Sequence, residues 1–137
     1  MSAIAAITIN DGQATPVAHT FNPIQTDPAS YRENGSASTP VIGQPAIDIN
    51  IKQASGSDAV NRAKVSLRFP VLETVSGESY AGYVAAPKVA YFLQANVEFL
   101  LPNRSTLAQR KDLRVLLMNA LANAQIVSVV DSLEKPY

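Results

Sequence analysis

Lys52, Arg62, Lys64 and Arg68 are the residues whose type and spacing carry recognisable chemistry. In the stretch VNRAKVSLRFPVL, residues 60–72, Arg62, Lys64, Ser66 and Arg68 alternate with Ala63, Val65, Leu67 and Phe69. A strand sends successive side chains to opposite faces, so one face of this segment is apolar and the other cationic. Guanidinium and ammonium groups meet phosphates, while amides and hydroxyls hydrogen-bond base edges. Asn50, Ser66, Gln94 and Asn96 supply the second kind of group at alternating positions, and Phe92 adds one aromatic on which a base can stack. The same pattern also describes a plain solvated sheet face, which antiparallel sheets commonly have. Both readings stand on the residues alone.

Other chemistry is scarce. His19 is the single histidine, there is no cysteine, and no Gly-rich phosphate loop, nucleophile elbow or metal-ligand cluster is written in the chain. His19 reads as an ordinary strand position without an acidic or nucleophilic neighbour at catalytic spacing. No catalytic residue, cofactor or metal site is expected. Lys+Arg and Asp+Glu number 11 each, which argues against coating nucleic acid by bulk charge. The charge is segregated instead. Residues 46–70 hold four basic side chains (Lys52, Arg62, Lys64, Arg68) against two acidic ones (Asp48, Asp58).

The elements that must position these residues follow from periodicity. AITINDGQATPVAHTF, residues 6–21, reads as a hairpin: Ile7 and Ile9 alternate with Thr8 and Asn10, Asn-Asp-Gly offers turn residues that tolerate positive φ, and Val17, His19 and Phe21 alternate on the return. Residues 22–45, with Pro23, Pro28, Pro40 and Pro45, read as loop with one short strand near Tyr31. Strict alternation in 46–53 and 62–69 predicts an antiparallel pair. Residues 74–88 form a long loop with two glycines and a proline, and alternation resumes in VAYFLQANVEFLL, 89–101.

At Pro102 the period changes. Thr106 and Gln109 make a capping box, and Leu113, Leu116, Leu117, Ala120, Leu121 and Ala124 recur at helical spacing. Residues 124–133 read as a second short helix or a strand. The order, hairpin then antiparallel sheet then helices over 105–133, is an α+β pattern with helices on one sheet face. At 137 residues the chain is one domain by length. No positive n-region precedes the apolar N-terminus and no run reaches the ~18 apolar residues of a membrane span. The expectation is a soluble, cytosolic product with no membrane partner.

Taken in order, these segments resemble the coat proteins of small single-stranded RNA bacteriophages, the levivirus type. ITINDG is similar to the family's first hairpin. IKQASGSDAVNRAKVSLRFPVL resembles its central hairpin, with a basic residue and Gln, a small-residue turn, Asn-Arg and an alternating strand. NVEFLLP resembles its last strand, and a Leu-rich helix and a terminal Tyr137 follow. The resemblance covers nearly the whole chain. It implies an N-terminal hairpin, a five-stranded antiparallel sheet and two C-terminal helices, with two subunits interlocked so that each one's helices pack on the other's sheet. It further implies an icosahedral shell in the virion, assembled in the bacterial host cytoplasm, with residues 74–88 at its symmetry axes. The polar sheet face would contact genomic RNA and, through an RNA hairpin, repress translation.

Carried over by position, the resemblance assigns RNA contact to Asn50, Lys52, Arg62, Lys64, Ser66, Arg68, Gln94 and Asn96. Gln94 stands where some members carry a base-stacking Tyr, and Asp48 and Lys64 stand where a small hydroxyl residue is common. A dimeric sheet module for a small ligand or peptide is the competing reading of the open face. A small enzyme using 74–88 as a lid lacks a candidate base.

Overall fold

The computed structural model describes residues 3–35, 39–56, 59–74 and 86–136. Its contacts divide the chain into two compact units, residues 1–53 with 61–100, and residues 54–60 with 101–137.

The first unit holds strands β1 (Ile7–Asn10), β2 (Ala18–Thr26), β3 (Ala29–Arg32) and β4 (Ala46–Lys52) and nearly all of β5 (Val60–Leu72) and β6 (Val89–Pro102). They are hydrogen-bonded in the order β1-β2-β3-β4-β5-β6, with antiparallel ladders from β1 through β5. The expected hairpin and five-stranded sheet are therefore corrected to a single run of six strands. The reason is the length of β2. It pairs with β1 up to Phe21 and then continues to Thr26, pairing with β3 through Asn22↔Arg32 and Thr26↔Ala29. Residues 22–26 are thus strand and not the expected loop. Pro23 sits where that ladder shifts register, and a bulge is one of the few places in a sheet where a missing N–H costs little.

The hairpin turn also differs from expectation. Gly12 does not adopt positive φ; among the described residues only Gly56 and Leu133 do. Residues 11–17 form a wider loop that Asp11 closes instead. Its Oδ1 accepts from the backbone N–H of Val17 at 2.9 Å and of Gln13 at 3.3 Å.

Alternation sets the two faces. Tyr31, Ile47 and Leu67 are directly opposite one another across β3, β4 and β5, and the next row, one residue on, is Arg32, Ala46 and Arg68 on the other face. The apolar face holds the buried cluster Phe21, Tyr31 and Ile47, with Ile7, Ala29, Ile49, Val65 and Leu67 packed on it. Gly43, at the end of the short 3-10 turn Val41–Gly43, lies so close to Leu72 that a Cβ there would come within 2.7 Å of its Cδ1. Farther along the apolar face Ile51 and Leu93 are exposed. Most of the loop that the resemblance places at the shell's symmetry axes, 74–88, lies outside the described residues. Its ends are joined where the Glu73 N–H donates to the Lys88 carbonyl at 2.8 Å and Lys88 Nζ stands 3.6 Å from Glu73 Oε1.

In the second unit Asn103 fastens the turn before β5. Its Nδ2 donates to the carbonyls of Ala54 (3.1 Å) and Gly56 (2.7 Å), and its N–H donates to Ala59 (3.0 Å). Gly56 has φ +112°, which suits glycine at this tight turn. Helix α1 (Leu107–Leu121) opens on the expected capping box: the Gln109 N–H donates to Thr106 Oγ1 at 3.2 Å, and the Thr106 N–H donates to Gln109 Oε1 at 2.9 Å. Residues 124–131 resolve as helix α2, capped by Asn123, whose Oδ1 accepts from the Gln125 N–H at 3.0 Å. No residue of either helix is buried. No single helix is long and apolar enough to cross a membrane.

Candidate nucleic-acid interface

The polar face is organised in ladder rows. Between β4 and β5 the pairs are Ala46↔Arg68, Asp48↔Ser66, Asn50↔Lys64 and Lys52↔Arg62. β3 extends two of these rows, placing Arg32 beside Ala46 and Ser30 beside Asp48. β6 joins the same face, because the Arg68 guanidinium carbon lies 5.6 Å from the Phe92 ring centroid and Arg62 Nη1 lies 3.8 Å from Glu98 Oε1. Gln94 and Asn96 share the parity of Phe92 and Glu98, and Gln94 Nε2 donates to Asn96 Oδ1 at 3.1 Å. All eight residues singled out from the sequence thus lie on one sheet face. Ser66 is half-buried and the other seven are exposed.

The electrostatics of the face are uneven. Lys52, Arg62 and Lys64 occupy adjacent rows near one end, and Arg68 stands at the other. Asp48 lies between them, and its carboxylate accepts a short hydrogen bond from the Ser30 hydroxyl. Arg62 is shared with Glu98, an exposed pair of the kind worth little on its own. The Arg68 guanidinium lies over the Phe92 ring, within cation–π distance, and Phe92 is still more than half exposed. Such a face offers cationic N–H donors, neutral amides and an aromatic ring together.

The sequence reading missed Arg32. It lay in a stretch taken mostly as loop, and only the three-strand register places it two strands from Arg68. The reading of His19 also needs correction. Its Nδ1 is 2.8 Å from Glu33 Oε1 and its Nε2 is 3.4 Å from Asp11 Oδ2, so the imidazole bridges two carboxylates. The hydrogen bond to Glu33, followed by that to Asp11, raises the His19 pKa above its ordinary value. Asp11 is held below the usual carboxylate value, chiefly by the Val17 N–H, with Gln13 and His19 adding to it against partial desolvation. His19 lies opposite Ile9, on the apolar face, away from the cationic rows. Both ring nitrogens are engaged, so this cluster fastens the hairpin loop. No group of three His, Cys, Asp or Glu side chains able to hold a metal ion occurs among the described residues.

The chain is thus an antiparallel sheet with one apolar and one largely cationic face, followed in sequence by two helices. The model of the Levivirus coat protein family matches residues 2–137, and the chain belongs to that family. It is a bacteriophage capsid protein and not an enzyme. Solved structures agree. The chain is similar to the virus-like particle protein of bacteriophage ESE058, at 33% identity over 99% of this chain and 100% of that one, with a TM-score of 0.89. The bacteriophage NT-214 virus-like particle protein is 27% identical over 99% and 100% of the two chains, with a TM-score of 0.85. The bacteriophage GA capsid protein shares the fold, with a TM-score of 0.68 at 16% identity over 97% and 96%. A search of curated proteins returned no match.

Proposed function

We propose that this capsid protein forms homodimers, assembles from them into an icosahedral shell and binds the phage's single-stranded genomic RNA on its polar sheet face. The observation that carries the RNA reading is the ladder register. It gathers Lys52, Arg62, Lys64 and Arg68 with Asn50 and Ser66 on the face opposite the buried cluster, and Gln94 and Asn96 join them by their alternation with Phe92 and Glu98, which contact Arg68 and Arg62. Cations there neutralise phosphates, and the amides give the face a means of choosing among RNA hairpins, the basis of translational repression at a start-site hairpin.

The dimer reading rests on what one chain leaves uncovered. Among the described residues only Phe21, Tyr31 and Ile47 form a buried hydrophobic cluster. Leu107, Leu116, Met118, Leu121, Val130 and Leu133 of the helical region are all more than half exposed. A set of exposed apolar side chains this extensive marks an association surface. A second copy supplies the cover, in one single-domain subunit design, and the resulting particle places the protein in the virion. The similar ESE058 and NT-214 proteins were solved as virus-like particles. Electron microscopy of the purified product, with nuclease digestion before and after disruption, is the test. Uniform hollow particles that protect RNA are expected. Discrete dimers under all assembly conditions, with no protected RNA, would overturn the reading.

A further inference from the structure

On the polar face one row differs from the others. Arg32, Ala46 and Arg68 are consecutive partners across β3, β4 and β5. The outer two carry guanidinium groups and the middle one only a methyl, so the row is a notch about two strand spacings wide, roughly 9–10 Å. The notch opens into a cleft of about 340 Å³ lined by Arg32, Arg68, Phe92, Ile42, Pro70 and Ala46, among others. That volume falls in the range of small-ligand clefts, about 300–1,000 Å³. Among the described residues neither guanidinium has a carboxylate within ion-pair distance. Phe92 and Ile42 present apolar surface to the same space and are 55% and 48% exposed. Two unneutralised cations beside an apolar, partly aromatic wall fit a ligand that is anionic at one end and flat and apolar at the other.

The neighbourhood narrows the ligand. Arg62, Lys64, Ser66 and Arg68 follow one another along the same face of β5, in steps of about 6.7 Å. A polyanion lying along that file arrives at the cleft at its Arg68 end. We propose that the cleft takes one unpaired nucleotide of single-stranded RNA, with its phosphate between Arg32 and Arg68 and its base against Phe92, Ile42 and Pro70. Bases splayed from single strands stack on aromatic rings and on guanidinium planes, and the Arg68–Phe92 pair supplies both. This inference rests on the reading of the polar face as an RNA surface. It adds a residue, Arg32, and a pocket for one base at the end of that surface.

The test uses the full-length purified chain and two fluorescent probes: a short oligouridylate, and an oligomer with the same backbone but no bases. Arg32→Gln weakens both and lowers the dependence of log affinity on log salt by roughly 0.7. Phe92→Ala weakens the oligouridylate by about fivefold or more and leaves the abasic oligomer unchanged. Lys64→Ala, in the middle of the face, weakens both probes and serves as the reference. Photocrosslinking of wild-type protein to 4-thiouridine in the oligomer is expected to mark the peptides containing Ile42 and Phe92, which needs no variant. Normal oligouridylate binding by Arg32→Gln and Phe92→Ala, alongside a weakened Lys64→Ala, would overturn the pocket and leave the RNA face standing. No binding of either probe by wild type would overturn both. A change in sedimentation of Arg32→Gln or Phe92→Ala without a change in RNA affinity would assign the cleft to contact between copies and overturn the nucleotide.

Discussion

Ser30 donates its hydroxyl to the carboxylate of Asp48 across the β3–β4 ladder, in the middle of the polar face and among its cations. The acidic side chain therefore has a fixed place, between Ser30 and Ser66 and one row from Ala46 and its two arginines. Asp48→Asn keeps the size and the capacity to accept from Ser30 while removing a negative charge from the proposed RNA path. RNA affinity is expected to rise a few-fold, on the scale of about 1 kcal/mol for a charge a few ångströms from a phosphate in water. Filter binding at fixed salt measures it. Unchanged affinity would take Asp48 off the path of the RNA.

Much of this face was legible in the sequence because strict alternation fixes which residues share a side. Ile47, Ile49 and Ile51 against Asp48, Asn50 and Lys52 admit only one orientation if a core exists, and the structure adopts it. The helix start was legible for an equally local reason, since Thr106 and Gln109 satisfy each other three residues apart. Arg32 was not legible, because its role depends on β2 continuing through Pro23 and on β3 forming beside it. Proline-rich composition argued for loop, and the ladder overrode it at a bulge. The partners of His19 were hidden too. Asp11 and Glu33 lie 8 and 14 residues away, and no local period connects them.

His19 gives the molecule a pH dependence of defined sign. Its pKa in the folded chain is raised above 6.5. Its contribution to stability is complete below that value and is lost as pH rises through the higher folded pKa. Asp11 behaves oppositely: its pKa is lowered from 3.8, so its contribution is present above that value and fades as pH falls through the lowered one. The stability advantage of wild type over His19→Gln should therefore be greatest between about pH 4 and 6.5 and shrink toward alkaline pH. Denaturant midpoints at fixed protein concentration check this. A constant advantage from pH 5 to pH 9 would show that the His19 bridge does not titrate with folding.

Leu116 separates a lone subunit from an interlocked one. Its side chain is 66% exposed in the single chain, where a charged replacement costs at most about 0.5 kcal/mol. If a second copy covers the helices, Leu116→Glu buries an unpaired charge at the interface and abolishes association. Light scattering across a dilution series is expected to show loss of dimers and particles for Leu116→Glu, and none for Gln125→Glu on α2. Intact particles from the Leu116 variant would remove this stretch of helix from the interface.

The cations and the amides of the polar face should separate in measurement. Lys52, Lys64 and Arg68 are exposed on the polar face; on the proposed RNA reading each meets a phosphate, so replacing any one by Ala is expected to weaken every RNA and flatten the salt dependence by roughly 0.7–0.9 per lost contact. Arg62→Ala should cost more than its phosphate contact, because it also leaves Glu98 on the face without its cation at 3.8 Å. Asn96 is different. Gln94 donates to its Oδ1 at 3.1 Å, which orients the amide and leaves the Nδ2 group to donate to a base acceptor. Asn96→Ala should then change the choice among hairpins by about 1–3 kcal/mol, a scale taken from base-edge contacts in DNA, with little effect on the salt slope. Gln94→Ala should reproduce part of that loss by releasing the Asn96 amide. Both side chains are exposed on the face opposite the buried cluster, so the fold is expected to survive either change. Competition between the phage's own hairpin and a scrambled one, at two salt concentrations, reads both effects in one experiment. Equal preference in wild type and Asn96→Ala would leave the face a phosphate-binding surface with no selectivity at this position.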